Sequence, residues 1–520
     1  MKRFEKIGII KNVSSSWLGL VVNVATGIVV SPYILHKLGD EAFGLWVLVF
    51  AVTGYYGLFD LGIRSSIVRY VAKFSATENN LELNRLFNTS LCIFGCIGLV
   101  LLAVTGVGSL FIEKLFRVHA SAVTTARILF LMVGASVATN FPLGVFAGFL
   151  EGLQKFYLIN LINVTSTLLR AILILVALHR GHGLLMVALI TVSFPFLSSL
   201  VNMFNVFRLQ HLQLGPSYVS KATFKEIFSY GSTTFMISVA DKLRFKTDAM
   251  VIGTFLSAAA ITPFAIGSRL VEYGISLVDS MVQIFTPMSS HFHAKGEVDR
   301  LRSMFIAGNR ACALIVFPIC AGLILLGKPV IQVWMGAKYV SASYPILLVL
   351  LIPNTLRMAQ ATSSRILFGM ARHKTLAIVV FAEGIVNLVL SIALVRPYGI
   401  MGDAIGTAIP LTVTCLFFLP QHLCGILGLR IRSYLLKAFG APLLLCMPMV
   451  ACLLLMQRWF VPHNLLQLVV QTVIAGGVYS AFVYYFMFLK GPLNLRTPEA
   501  TARDNGQPLE EQAAVATREA

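Results

Sequence analysis

From Asp241 to Asp248 the chain reads Asp-Lys-Leu-Arg-Phe-Lys-Thr-Asp, five charges in eight residues within an otherwise apolar stretch. At 100° per residue, Asp241, Arg244 and Asp248 fall within about 60° of one another and can neutralise themselves. Lys242 and Lys246, at i and i+4, stack on a different face with no local acid. A lysine pair turned toward a cavity suits a polyanion such as a pyrophosphate. Two placements stay open. The motif lies inside a seventh span at 227–253, or it forms a surface turn with the span shifted to about 249–268. The first leaves no orphan, whereas the second leaves 227–240 as a 14-residue apolar stretch too short to cross a bilayer.

Other ionisable groups sit in equally apolar surroundings. The basic set is Arg170, Lys242, Arg244, Lys246, Arg269, Arg357 and Arg365; the acidic set is Asp60, Asp241, Asp248, Glu272, Asp279 and Glu383. Each costs ~2.5–3.5 kcal/mol at mid-bilayer, so the thirteen together cost ~30–45 kcal/mol unless pairing or a water-filled cavity offsets it. Their spacing predicts a shared polar interior. Thr53, Tyr56, Asp60 and Arg64 recur at helical period on a second span; Asn160, Asn163, Thr167 and Arg170 do so on a fifth. Ser16, Asn23 and Thr26 follow suit on the first, and Arg269, Glu272 and Asp279 on the eighth. Asp60 and Arg64 also fit an i, i+4 structural pair. Glu383, four residues before Asn387, is a candidate proton or Na⁺ site, and no other cofactor is implied. His179, His182, His291 and His293 fall in loops, and the eight cysteines lack zinc-ligand spacing, so no metal site is predicted.

The elements that must position these groups are transmembrane helices. Of 520 residues, 57% are hydrophobic and 12% charged, a balance that a bilayer solvates and no soluble core could bury. Apolar segments of roughly 20 residues, the length that spans ~30 Å of hydrocarbon, recur fourteen times between residues 13 and 489. With the N-terminus inside, cytoplasmic segments hold 25 of the 41 Lys and Arg and outer loops hold nine, as the positive-inside rule requires. Both termini are therefore predicted to be cytoplasmic. The net charge of +19 follows this topology rather than forming a nucleic-acid patch. Outer loops at 109–124 and 327–343 are short and carry Glu113 as their one acid, which disfavours a membrane glycosyltransferase or polymerase. A polar tail at 491–520 is predicted to be disordered.

An internal repeat is faintly visible. Leu38-Gly-Asp-Glu-Ala-Phe-Gly-Leu-Trp46 and Leu256-Ser-Ala-Ala-Ala-Ile-Thr-Pro-Phe264 stand 218 residues apart, and Leu86-Phe87 and Met304-Phe305 keep the same offset. Repeats of six helices are a transporter signature.

The first of these motifs, with Tyr56-Gly-Leu-Phe-Asp-Leu-Gly-Ile-Arg-Ser-Ser-Ile-Val-Arg69 and Asp248-Ala-Met-Val-Ile-Gly-Thr-Phe-Leu256, resembles the polysaccharide transporters of the multidrug/oligosaccharidyl-lipid/polysaccharide (MOP) exporter superfamily, which include O-antigen flippases. The resemblance covers about residues 10–490. It implies an all-α polytopic fold with two six-helix lobes in a MATE-like V, at 1–208 and 227–427, joined by a cytoplasmic linker at 209–226. Two further helices follow at 428–490. It implies translocation of a lipid-linked, polyprenyl-diphosphate oligosaccharide across the bacterial inner membrane, in company with membrane lipids and with the glycosyltransferases and polymerase of the same pathway. Carried onto this chain, it makes Lys242, Lys246, Arg269, Arg357 and Arg365, joined by Arg244 and Arg170, candidates for a cationic cavity. Asp60, Arg64, Asn23, Asn163, Asp241, Asp248, Glu272, Asp279 and Glu383 are its candidate polar and ion-coupling groups. Pro263 departs from the family's usual glycine before an aromatic. The rival within the superfamily is a cation-coupled multidrug exporter, whose cavity would be acidic or neutral.

Overall fold

The computed structural model describes the backbone of residues 2–228, 239, 242 and 247–486, and the side chains of all of these but 2–14 and 16. Every regular element among them is helical. The first half comprises α1 (Lys2–Gly54), α2 (Ile63–Ala76), α3 (Asn80–Leu115), α4 (Val123–Gly152), α5 (Phe156–His179) and α6 (Leu184–Leu209). After a helical stretch at 221–228 come α7 (Asp248–Phe255), α8 (Ala258–Val282), α9 (Phe285–Ala294), α10 (Val298–Met335), α11 (Val340–Ala359), α12 (Ala361–Gly369), α13 (Lys374–Val413) and α14 (Leu419–Leu427). The chain closes with α15 (Ile431–Leu435), α16 (Ala441–Trp459) and α17 (Leu465–Tyr484).

Ten helical segments of the described residues are long and apolar enough to cross a membrane. Their outward faces are apolar: Leu444 and Leu466 are 71% and 72% exposed, and such residues recur along every long helix. Only hydrocarbon can cover a surface of that kind. Two of the segments break at a glycine with positive φ, Gly39 (φ 84°) and Gly399 (φ 59°), a conformation costly for any side chain with a Cβ. At Gly399 the chain reverses. A Cβ on Gly406 would lie 2.6 Å from the Ser391 backbone nitrogen, so the arms 374–398 and 400–413 touch backbone to backbone. The fourteenth span depends on 229–246, largely outside the described residues, as is the tail at 491–520.

Helix ends recur at the offset seen in the sequence. Residues 184–209 of α6 correspond to 402–427, which ends α14; α2 and α9 finish at Ala76 and Ala294; Leu86 and Met304 each stand seventh in α3 and α10. The cores tell where the halves part. Ile63, Leu83, Phe87 and Phe149 form one core within the first half; Leu301, Phe305, Ile366 and Leu367 form another within the second. Toward the Gly39 end a single core joins them, with Leu35, Phe43 and Leu48 packed among Ile261, Phe264, Met335 and Tyr339. Two bodies sharing a core at one end and holding separate cores at the other form a V with its apex beside Gly39.

Several boundaries differ from the sequence reading. The second span does not continue to residue 64. It gives way to a 3-10 turn at Tyr55–Asp60, then Leu61 (φ 50°) and Gly62 (φ 74°), before the more polar α2 begins. The tenth span is divided at Gln360, whose side-chain amide donates both to the Leu356 carbonyl one turn back at 3.3 Å and across to the Cys415 carbonyl at 2.8 Å.

Candidate functional site

A cavity of about 630 Å³ lies within the second half between α7, α8, α11, α12, α13 and α14. Six of its lining residues are polar enough to hold a charged ligand: Asp248, Glu272, Asp279, Asn354, Arg357 and Arg365. Arg365 Nη2 stands 3.8 Å from Asp279 Oδ1, a loose pair with both side chains partly exposed. Its Nε is buried without an acceptor. Arg269 Nη1 donates to Glu272 Oε2 at 3.0 Å, within one turn of α8. A cleft of about 370 Å³ between α1, α5 and α8 adjoins this cavity, since Glu272 and Ser276 line both. Its walls carry Asn23, Asn160, Asn163, Thr167, Arg269 and Tyr273.

Among the described residues the two linings carry both signs of charge, while Arg244 and Lys246 of the expected cationic set lie outside the described residues. Three acids, Asp248, Glu272 and Asp279, face three arginines, Arg269, Arg357 and Arg365, across the two linings. An unpaired ion is costly in a low-dielectric interior, and α8 supplies the offsetting acids, Glu272 to Arg269 on the same helix and Asp279 to Arg365 on α12.

Behind the cavity lies a buried polar cluster on α7 and the two arms of α13. Asp403, Asn387 and Ser391 are at most 1% exposed, and Glu383 and Thr407 are 5% exposed. Thr407 Oγ1 donates to Asp248 Oδ1 at 3.0 Å, and Ser391 Oγ donates to Asn387 Oδ1 at 3.2 Å. Asp248 and Thr407 also line the cavity, so cluster and cavity are continuous. The donor set is hard oxygen from carboxylate, amide and hydroxyl, suited to a proton or a small hard cation rather than to a transition metal.

Asp403 escaped the sequence reading because it sits at the predicted start of a span. The Gly399 reversal buries it, and only a glycine four residues upstream hinted at this. Asp60 and Arg64 are absent from the linings of both cavity and cleft, and the 3-10 turn at Tyr55–Asp60 takes the place of the continuous helix on which they were expected. Asp60 Oδ1 accepts from the Arg64 backbone N–H at 3.2 Å, and the Arg64 guanidinium reaches Glu151 at 2.5 Å. Tyr56 turns into α3 and bonds Thr105 at 2.9 Å. Arg170 falls outside both linings. Lys242 lies beside the 3-10 turn, where its backbone carbonyl accepts from the Tyr55 hydroxyl at 3.3 Å. Asp241, Arg244 and Lys246 lie outside the described residues.

The apex is held by polar contacts as well as by its core. Lys338 Nζ lies 3.0 Å from Asp40 Oδ1, and the Tyr339 hydroxyl bonds the same carboxylate. Thr262 Oγ1 donates to the Asp40 carbonyl at 2.7 Å, Trp334 Nε1 to the Ile28 carbonyl at 2.8 Å, and the Arg117 backbone N–H to the Gly253 carbonyl at 3.0 Å.

A family model described as "Polysaccharide biosynthesis protein" matches residues 38–344. The putative O-antigen transporter of Shigella flexneri is 23% identical, over 81% of this chain and 99% of its own length. The lipid II flippase MurJ in an inward closed conformation superposes with a TM-score of 0.70 at 17% identity, covering 92% of this chain and 98% of MurJ. An inward-facing multidrug resistance MATE family transporter of the MOP superfamily superposes with a TM-score of 0.69 at 16% identity, covering 79% and 95%.

Proposed function

The chain belongs to the polysaccharide biosynthesis protein family, and from that premise we propose that it moves a lipid-linked oligosaccharide across a bacterial inner membrane by alternating access. The observation that carries the reading is the second-half cavity, continuous through Glu272 and Ser276 with the cleft between the arms of the V, where Arg357 and Arg365 stand among acids at the depth of the spans. A sugar-diphosphate head group loses its hydration if it crosses bare hydrocarbon, and these groups replace it. The diphosphate displaces Asp279 from Arg365, the polyprenyl chain stays in lipid, and rocking of the halves re-exposes the head group at the other face. With both termini cytoplasmic, the apex lies outside and the described state opens inward. The Asp248, Asn387, Asp403 and Thr407 cluster couples the cycle to an H⁺ or Na⁺ gradient, because a cation bound at Asp248 alters the wall of the cavity itself. The glycosyltransferases that build the substrate and the polymerase that consumes it are its pathway partners.

The three acids on the cavity linings favour one rival, export of cationic drugs. The two readings separate in proteoliposomes. Wild-type protein should move a labelled undecaprenyl-diphosphate oligosaccharide between leaflets, and a cationic dye should neither be transported nor compete. Dye transport with no glycolipid movement would replace the flippase reading by the exporter.

A further inference from the structure

The cleft between α1, α5 and α8 differs in chemistry from the arginine cavity it adjoins. Its polar groups are amides and hydroxyls, Asn23, Asn160, Asn163, Thr167, Tyr273 and Ser276, and its one arginine is tied to Glu272 at 3.0 Å. We propose that this cleft is a sugar-binding subsite that grips the glycan next to the diphosphate and sets glycan selectivity. The proposal rests on the flippase reading.

Four observations converge on it. Asn23 and Asn163 are exposed at the middle of long apolar helices, where an amide turned to hydrocarbon would be heavily penalised, so they serve a hydrated or ligand-filled space. An amide supplies paired donors and acceptors, which match the vicinal hydroxyls of a pyranose and reject a partner that lacks them. Tyr273 closes one end of the cleft. Its hydroxyl lies so near Gly27 that a Cβ there would be 2.5 Å away, and its ring leans on Trp334 with centroids 6.5 Å apart. The Trp334 bond to Ile28 fixes that aromatic end, which offers an apolar surface to sugar C–H groups. Lastly, the counterparts of Asn160, Asn163 and Thr167 in the second half are Ile378, Phe381 and Ile385, exposed and apolar. Asn160 Nδ2 also donates to Ser15 Oγ of α1 at 2.9 Å and so ties two helices, whereas the apolar counterparts of Asn163 and Thr167 show that helix packing in this fold does not require those two polar groups. Because Glu272 and Ser276 belong to both spaces, a diphosphate beside Arg365 leaves its first sugar at the mouth of the cleft.

The test measures binding of undecaprenyl diphosphate, bare or carrying one N-acetylglucosamine, glucose or galactose, to the full-length protein in detergent. Wild type should bind at least one glycosylated form about tenfold tighter than the bare lipid. The N23A/N163A double variant should lose that increment and keep its affinity for the bare lipid within twofold, which also shows that it is folded. Arg365→Ala should weaken all four lipids alike. An increment unchanged in the double variant, or equal weakening of bare and glycosylated lipids by it, overturns the proposal. So does a wild type that ignores the sugar, an outcome that leaves the flippase reading intact. Wild type that binds none of the four overturns the flippase reading instead.

Discussion

Helices α5 and α6 of the first half and the two arms of α13, with α14, in the second occupy matching places 218 residues apart, yet their polar groups are arranged oppositely. In the first pair, α5 turns the neutral amides of Asn160 and Asn163 to a cleft. The second pair buries Glu383, Asn387, Ser391, Asp403 and Thr407 against α7. The first-half counterparts of four of these, Asn387, Ser391, Asp403 and Thr407, are leucines: Leu169, Leu173, Leu185 and Leu189. One architecture thus supplies a neutral wall and a charged wall to the same cavity. The lesson is a division of labour. Apolar matches between the halves preserve the helices, and the mismatches fall at the groups proposed to meet substrate or ion.

The largest effect expected of this asymmetry is at the arginines. Arg365→Ala should lower glycolipid translocation by about thirtyfold, near 2 kcal/mol, since it removes the charged donor proposed to hold the diphosphate and a hydrogen bond to a charged group is worth about 1.5–3 kcal/mol. Thr139→Ala, at the counterpart of Arg357, should change the rate less than about twofold. Equal losses would break the comparison. Next comes packing. Gly406 stands against Ser391 so closely that Gly406→Ala should cost ~1–3 kcal/mol through overpacking and lower the apparent melting temperature. Its counterpart is Ala188, fully buried, where Ala188→Gly should cost ~0.5–1 kcal/mol and leave transport coupled. A Gly406→Ala protein as stable as wild type would show that the arms of α13 do not need their contact.

Asp403→Asn keeps the volume and removes the charge. It should lower the gradient-driven rate about tenfold, near 1.4 kcal/mol, while glycolipid binding stays within twofold. Leu185→Asn at the matching place should leave gradient dependence as it was. If Asp403→Asn transport still responds fully to an imposed H⁺ or Na⁺ gradient, the buried cluster is structural.

Much of this plan was legible in the sequence, for reasons tied to particular residues. Apolar runs gave the long helices away because a bilayer demands them, and Leu86-Phe87 with Met304-Phe305 exposed the repeat because both pairs plug equivalent cores. Arg269, Glu272 and Asp279 were visible as a stripe because α8 is continuous across all three. The stripe through Tyr56 and Asp60 is not one α-helical face because the α-helix ends at Gly54 and both residues lie in a 3-10 turn, a break that hydropathy does not register. Pairing partners were equally hidden. The approach of Arg365 to Asp279 joins residues far apart in sequence, and Asp403 becomes buried only when Gly399 folds one arm of α13 onto the other.

The smallest effect concerns the apex, where the comparison between ends of the V is sharpest. Asp40 and Lys338 join the halves at 3.0 Å, but their side chains are 39% and 65% exposed, so the pair contributes no more than ~0.2–1 kcal/mol. Asp40 also accepts from the buried Tyr339 hydroxyl, which leaves a polar group to be resolvated when the carboxylate is removed. Asp40→Ala should therefore shift the balance between apex-closed and apex-open states toward open by less than about tenfold. Distances between spin labels at Lys114 and Ser341, one on each half, would report it. Closure must persist in most molecules, because Leu35, Phe43, Phe264 and Met335 still share one core there, whereas the opposite ends have nothing comparable between Phe87 and Phe305. An apex that falls open in Asp40→Ala would mean that the polar latch, rather than the shared core, holds the two halves together.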